Sequence, residues 1–207
     1  MATEPLRDLN LGVTGASGAR FALAALRALA GDRRVGCVRV VVSEHAWDNL
    51  RAELGTHAAS RDDLQARLLD VPAGREKITL YGTGEMAAPI SSGSHLSDGM
   101  VVLPCSVATL AAIASGVGTN LIHRAADVTL KQRRPLLLCV RESPYSLIHI
   151  ENMERAARAG ASIVPVTVML YNRPATVDDV IEQYVGRVLD LLGLGPEGLR
   201  RWAGLRP

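Results

Sequence analysis

Three short runs constrain the fold of this chain more than any other feature: Val35-Gly-Cys-Val-Arg-Val-Val-Val42, Met100-Val-Val-Leu-Pro-Cys105 and Leu136-Leu-Leu-Cys-Val140. A strand with one wet face alternates apolar and polar residues; these runs are apolar almost throughout, so both faces of their sheet are expected under helices. Shorter strands are expected at Leu9–Thr14, Ile78–Tyr81 and Ala161–Pro165. Helical spacing separates them. Phe21, Leu23, Ala24, Leu26 and Leu29 share a face of a helix over Ala19–Leu29, and Leu110, Ile113 and Ala114 share one over Val107–Gly116. Leu147, Ile150, Met153 and Ala157 line one side of Tyr145–Gly160, and a seven-residue apolar set from Val180 to Leu192 lines Val177–Leu192. A polar helix is expected after Ser43 through Glu53, and a short one inside the less periodic stretch 55–74. Gly, Ser and Pro make 82–94 a loop. Strands alternating with helices give an α/β fold: three layers around a doubly wound parallel sheet, one domain over 1–207, with a short C-terminal arm (about 193–207) carrying Trp202.

Composition excludes several function classes. The 207 residues are 48% hydrophobic and 21% charged with a net charge of +2, so the balance does not call for nucleic acid. Aromatic content of 3% leaves no stacking platform for single strands. No apolar run reaches the length of a membrane span, and Met1–Asp8 lacks the order of a signal peptide, so a cytoplasmic location is expected. Cys37, Cys105 and Cys139 are odd in number and sit in apolar runs, which suits buried thiols in a reducing compartment. His45, His57, His95, His123 and His149 show no metal-ligand spacing, and no metal site is expected.

The chemistry is expected where strands end. Ligands of open α/β sheets bind outside the carboxyl ends of the strands, which directs attention to Cys105–Thr109 and Arg141–Glu142. Gly15-Ala-Ser-Gly18 follows a strand and opens a helix. With Gly12 it reads G-x-x-G-x-x-G, unlike a dinucleotide fingerprint, and it lacks the Lys of a P-loop. It is either an anion cradle for a mononucleotide phosphate or flavin, or a tight strand–helix turn. Ser106–Thr109 is likewise either a second ligand contact or a helix cap. Lys131, Arg141, Glu142, Tyr171 and Arg187 suit a phosphorylated substrate if they converge, and are solvated surface groups if they do not.

In order along the chain, Gly12-Val-Thr-Gly-Ala-Ser-Gly18, Ser92-Gly-Ser94, Pro104-Cys-Ser106, Asn120-Leu-Ile-His-Arg-Ala-Ala-Asp127, Leu130-Lys-Gln-Arg-Arg-Pro135, Arg141-Glu-Ser-Pro144 and His149-Ile-Glu-Asn-Met153 resemble the UbiX-type flavin prenyltransferases, over nearly the whole length. The resemblance implies a flavodoxin/Rossmann-like subunit in a homo-oligomer, a dodecamer in described members, with FMN at subunit interfaces. It implies FMN contacts at Gly15, Ala16, Ser17, Ser43, Ser106, Val107, Ala108, Thr109, Arg124 and Arg141. It implies that dimethylallyl phosphate is held by Lys131, Tyr171 and Arg187 beside the Ser92-Gly93 turn, and that Ser17, Glu53, Lys131 and Glu142 serve the chemistry. The implied reaction joins a dimethylallyl group to N5 and C6 of reduced FMN without a metal. The product, prenylated FMN, would pass to a UbiD-type decarboxylase.

Two stretches depart from the family pattern. Glu85-Met-Ala-Ala-Pro-Ile90 lacks an aromatic residue that many members carry, and Val107-Ala108 stands where many have Met-Lys. Two alternatives follow: a non-catalytic FMN carrier or assembly protein, and a relative of the flavin-dependent cysteine decarboxylases. The second is opposed by the absence of a Pro-x-Met-Asn segment.

Overall fold

The computed structural model describes residues 5–56, 59–202 and 204; His57 and the last residues of the expected arm lie outside them. Six strands, β1 (Arg7–Val13), β2 (Val35–Val42), β3 (Ile78–Tyr81), β4 (Gly99–Cys105), β5 (Leu136–Val140) and β6 (Ser162–Ile163), form a parallel sheet in the order β3-β2-β1-β4-β5-β6. The strand order reverses between β1 and β4, where Leu11 pairs with Val101 on one side and with Val40 on the other. Among the described residues no helix is long and apolar enough to cross a membrane.

The apolar runs are apolar throughout because their two faces enter two different cores. Val101 and Leu103 of β4 join Leu9, Leu11 and Val13 against α1 (Ala19–Gly31), α2 (Glu44–Glu53), α3 (Arg61–Leu69) and α7 (Val177–Leu191). Met100 and Val102 join Leu136, Leu138 and Val140 against α4 (Val107–Ala114), α5 (Leu121–Lys131) and α6 (Leu147–Arg158). The three layers expected from the sequence are those observed: a doubly wound α/β sheet of the flavodoxin/Rossmann kind. Leu26 in one core and Leu110 in the other are fully buried; truncating either to alanine costs about 2–5 kcal/mol.

Three local readings are corrected. The polar run 120–127 is mostly helix: Asn120 caps α5 by accepting the His123 N–H at 3.0 Å. Leu121, Ile122, Ala125 and Ala126 form its buried stripe. The last strand is shorter than expected, Ser162–Ile163 only. In α6 the apolar stripe faces outward. Leu147 is 70% and Ile150 52% exposed, while the buried positions are Asn152 and Ala156. Met153 packs against the core, while Leu147 and Ile150 stay outside it.

Candidate active site

Thr14 sits at the reversal of the sheet, just past β1 and 1% exposed. Its hydroxyl donates to the Pro104 carbonyl at 2.8 Å and accepts the Ser106 N–H at 2.8 Å, tying the end of β1 to the turn after β4. Two backbone bonds extend the stitch: Ser43 N–H to Val13 O at 2.9 Å and Arg141 N–H to Cys105 O at 3.1 Å. The carboxyl ends of β1, β2, β4 and β5 are thereby held side by side.

A cleft of about 510 Å³ opens over these ends. Gly15, Ala16 and Ser17 line it from β1, Ser43, His45 and Asn49 from the start of α2, Ser106 to Thr109 from the start of α4, and Arg141 and Glu142 from β5. Asn120 and His123 enter from the first turn of α5. Gly15 is required by close approach, since a Cβ there would lie 2.6 Å from that of His45.

Helix ends give the cleft its polarity. Ser43, Ser106 and Asn120 are the N-caps of α2, α4 and α5, each accepting a first-turn N–H. The capping reading of Ser106 is thus correct, and the same residue also lines the cleft. Three positive helix ends meet there with the Arg141 guanidinium, a setting that favours an anion. Nε of Arg141 is buried and has no hydrogen-bond partner among the described residues. A buried charged donor left unpaired is costly, so this nitrogen calls for an acceptor from a ligand.

The glycine turn behaves differently from its reading as an anion cradle. Glu53, at the end of α2, accepts the Gly18 N–H with Oε1 and the Ala19 N–H with Oε2, both at 2.8 Å. Its carboxylate occupies the anion position at the N-terminus of α1. A phosphate is thereby excluded from that helix end, and the turn offers the cleft only Gly15, Ala16 and Ser17. Gly18 itself has φ of 130°, a conformation that favours glycine.

The remaining candidates lie outside the cleft lining, in two patches. In the first, Arg124 donates to the Ser91 carbonyl at 2.9 Å and to Asp127 at 2.7 Å, so it braces α5 against the serine turn. Gly93 packs there against Lys131 and Gln132, and the Ser92 and Ser94 hydroxyls are 2.8 Å apart. In the second, Tyr171, Arg187 and Trp202 border a separate hollow of about 260 Å³. The Tyr171 and Trp202 rings meet edge to face at 5.8 Å, and Arg187 is paired with Asp190 at 2.6 Å. Arg201 binds the same carboxylate and is the main cause of its lowered pKa. One chain therefore brings the cofactor candidates together, Arg124 excepted, and leaves the substrate candidates apart.

Sequence reasoning missed Thr14, His45, Asn49, Asn120 and His123. Asn120 was detectable as a capping residue ahead of an apolar 3.6-residue repeat. Glu142 lies within the cleft lining and accepts the N–H of its neighbour Ser143 at 2.9 Å.

Comparison with known proteins gives a consistent result. The Flavoprotein family matches residues 3–189. A probable UbiX-like flavin prenyltransferase of Escherichia coli O157:H7 is 43% identical over 197 residues, covering 95% of this chain and 93% of the relative. Flavin prenyltransferase UbiX of Pseudomonas aeruginosa is 39% identical over 196 residues, covering 94% and 93%. Among solved structures, AnUbiX (PadA1) in complex with FMN and dimethylallyl pyrophosphate superposes with a TM-score of 0.84 at 40% identity, covering 97% of this chain and 100% of that one. A dodecameric FMN-dependent UbiX-like decarboxylase from Escherichia coli O157:H7 gives 0.82 at 43% identity, covering 95% and 100%. The FMN-dependent cysteine decarboxylase SpaF, at 20% identity and a TM-score of 0.54, shares the fold.

Proposed function

This chain belongs to the Flavoprotein family and within it to the UbiX-type flavin prenyltransferases, and from that premise we propose how its residues divide the work. The enzyme makes prenylated FMN from FMN and dimethylallyl phosphate. Bound FMN supplies the ring nitrogen and carbon to which the prenyl group is joined.

The FMN phosphate is assigned to Arg141 and the N-terminus of α4, at Ser106 to Thr109. The observation that carries this is the buried, unpartnered Nε of Arg141 beside free helix-end polarity. Gly15, Ala16, Ser17 and Ser43 border the rest of the ligand. Glu53 acts by holding the glycine turn, which sets the position of Ser17. Lys131, Tyr171 and Arg187 bind the phosphate of the prenyl donor, with Ser92 and Gly93 shaping the approach to Lys131. Cations there stabilise the leaving phosphate, and Glu142 serves proton transfer within the cleft.

The donor residues converge when copies of the chain assemble. The outward apolar face of α6, formed by Leu147, Ile148 and Ile150, supports this, as does the dodecameric state of the Escherichia coli relative. The product passes to a UbiD-type decarboxylase. Cys37, Cys105 and Cys139 are free thiols, which suits the reducing cytoplasm. Arg141→Ala tests the assignment: FMN affinity is expected to fall about 10–100-fold, in line with loss of a charge-assisted bond. Unchanged affinity would remove Arg141 from the phosphate site.

A further inference from the structure

His123 stands in the cofactor cleft with its ring held by its own helix cap. The Asn120 carboxamide oxygen accepts the His123 backbone N–H at 3.0 Å, which fixes the amide and directs its NH2 group toward the ring. That nitrogen lies 3.4 Å from Nε2 of His123. An amide NH2 only donates, so Nε2 must be the unprotonated ring nitrogen. The proton then sits on Nδ1, which donates to Thr119 Oγ1 at 3.0 Å. At 3.4 Å the amide is a weak donor to Nε2, one that a ligand N–H at shorter range displaces. Burial lowers the pKa of the ring, which keeps it neutral and able to accept a proton.

Prenyl transfer to the ring nitrogen needs such a group. As the N–C bond forms, the donor's C–O bond breaks and its electron pair leaves with the phosphate. The flavin N5–H bond also breaks, its pair stays on nitrogen, and one proton must go to a base. We propose that His123 is that base, accepting the N5 proton of reduced FMN at Nε2. The inference rests on the prenyl-transfer reading of the cleft. The ionisable neighbours that share the cleft are Arg141, Glu142 and His45. From its own helix come Arg124, paired with Asp127, and from the loop packed on α5 comes Glu85, which accepts the Gly82 N–H. Helix α4, which also packs against α5, carries no charged residue.

The test combines two readouts. A crystal structure of the FMN-loaded native chain is expected to place Nε2 within about 3.2 Å of flavin N5. His123→Gln, which keeps a polar side chain but cannot take the proton, is expected to bind FMN within about 3-fold of native while turnover falls about 100-fold. The acid limb of its pH–rate profile should disappear. An Nε2 turned away from the flavin, or a variant with native rate and profile, overturns the proposal. Prenylated FMN from the native chain in the same assay separates that outcome from failure of the underlying reading. A native chain that yields no prenylated FMN overturns both.

Discussion

Thr14 Oγ1 lies 2.8 Å from the Ser106 nitrogen, and this one contact fastens the turn after β1 to the turn after β4. Both turns line the cofactor cleft. The hydroxyl is used twice, since it also donates to Pro104, and it is buried where water cannot replace it. Geometry at the reversal of the sheet thus depends on the first residue of one turn reaching across to the other.

Thr14→Val keeps the shape and removes the hydroxyl. The Ser106 N–H loses its partner at a buried site, and the stability loss is expected at about 1–3 kcal/mol by urea denaturation. FMN binding should weaken with it, while Thr14→Ser should preserve both. Native behaviour of the valine variant would show that the stitch does not organise the cleft.

Glu53→Gln removes the charge that spans the Gly18 and Ala19 N–H groups. A stability loss of about 0.5–2 kcal/mol is expected from the weakened cap and dipole interaction. Because the cap positions Ser17, turnover should fall more than FMN affinity. An unchanged rate would remove Glu53 from the mechanism.

The legible and illegible parts of this protein differ for physical reasons. Val101 and Val102 point to opposite faces, so a sheet covered on both sides leaves a continuous apolar run in the sequence, and the layers follow from it. Ser106 was legible as a cap because capping is local. Helix α5 was obscured by Asn120, His123, Arg124 and Asp127, whose polar side chains drew attention from the buried stripe of Leu121, Ile122, Ala125 and Ala126. The outward stripe of α6 obeys the same periodicity as a core helix, and periodicity alone does not say which way a face points. Glu53 lies 35 residues from Gly18 in sequence, so its occupation of the α1 N-terminus is a tertiary fact with no local signal. For the same reason, the separation of Lys131 from Tyr171 and Arg187 appears only once the chain is folded.

If Lys131 holds the leaving phosphate as proposed, Lys131→Ala should leave FMN affinity within about 3-fold and reduce turnover with the prenyl donor by at least about 100-fold. Normal turnover of this variant would place the donor phosphate elsewhere.

Stability should fall as the solution is acidified below the ordinary histidine value. Burial holds the pKa of His123, and of His95 beside Arg39, below 6.5. Between 6.5 and the lower folded-state values the unfolded chain binds protons that the native chain does not. Stability therefore rises with pH through that window and is flat above it for these two groups. Replacing both with glutamine should flatten the urea-unfolding free energy just below pH 6.5. An unaltered slope would assign the acid sensitivity to other groups.

Ile150→Glu places a charge on the outward face of α6. If copies of the chain cover that face, light scattering after size exclusion should show a smaller species with the same fold by circular dichroism. An unchanged mass would put the contact elsewhere.

The central claim is prenyl transfer to FMN in the cleft over β1, β2, β4 and β5. Mass spectrometry of the bound flavin, after anaerobic incubation of the full chain with reduced FMN and dimethylallyl phosphate, tests it most directly. The account predicts a flavin heavier by one five-carbon unit. Tightly bound FMN of unaltered mass would contradict it.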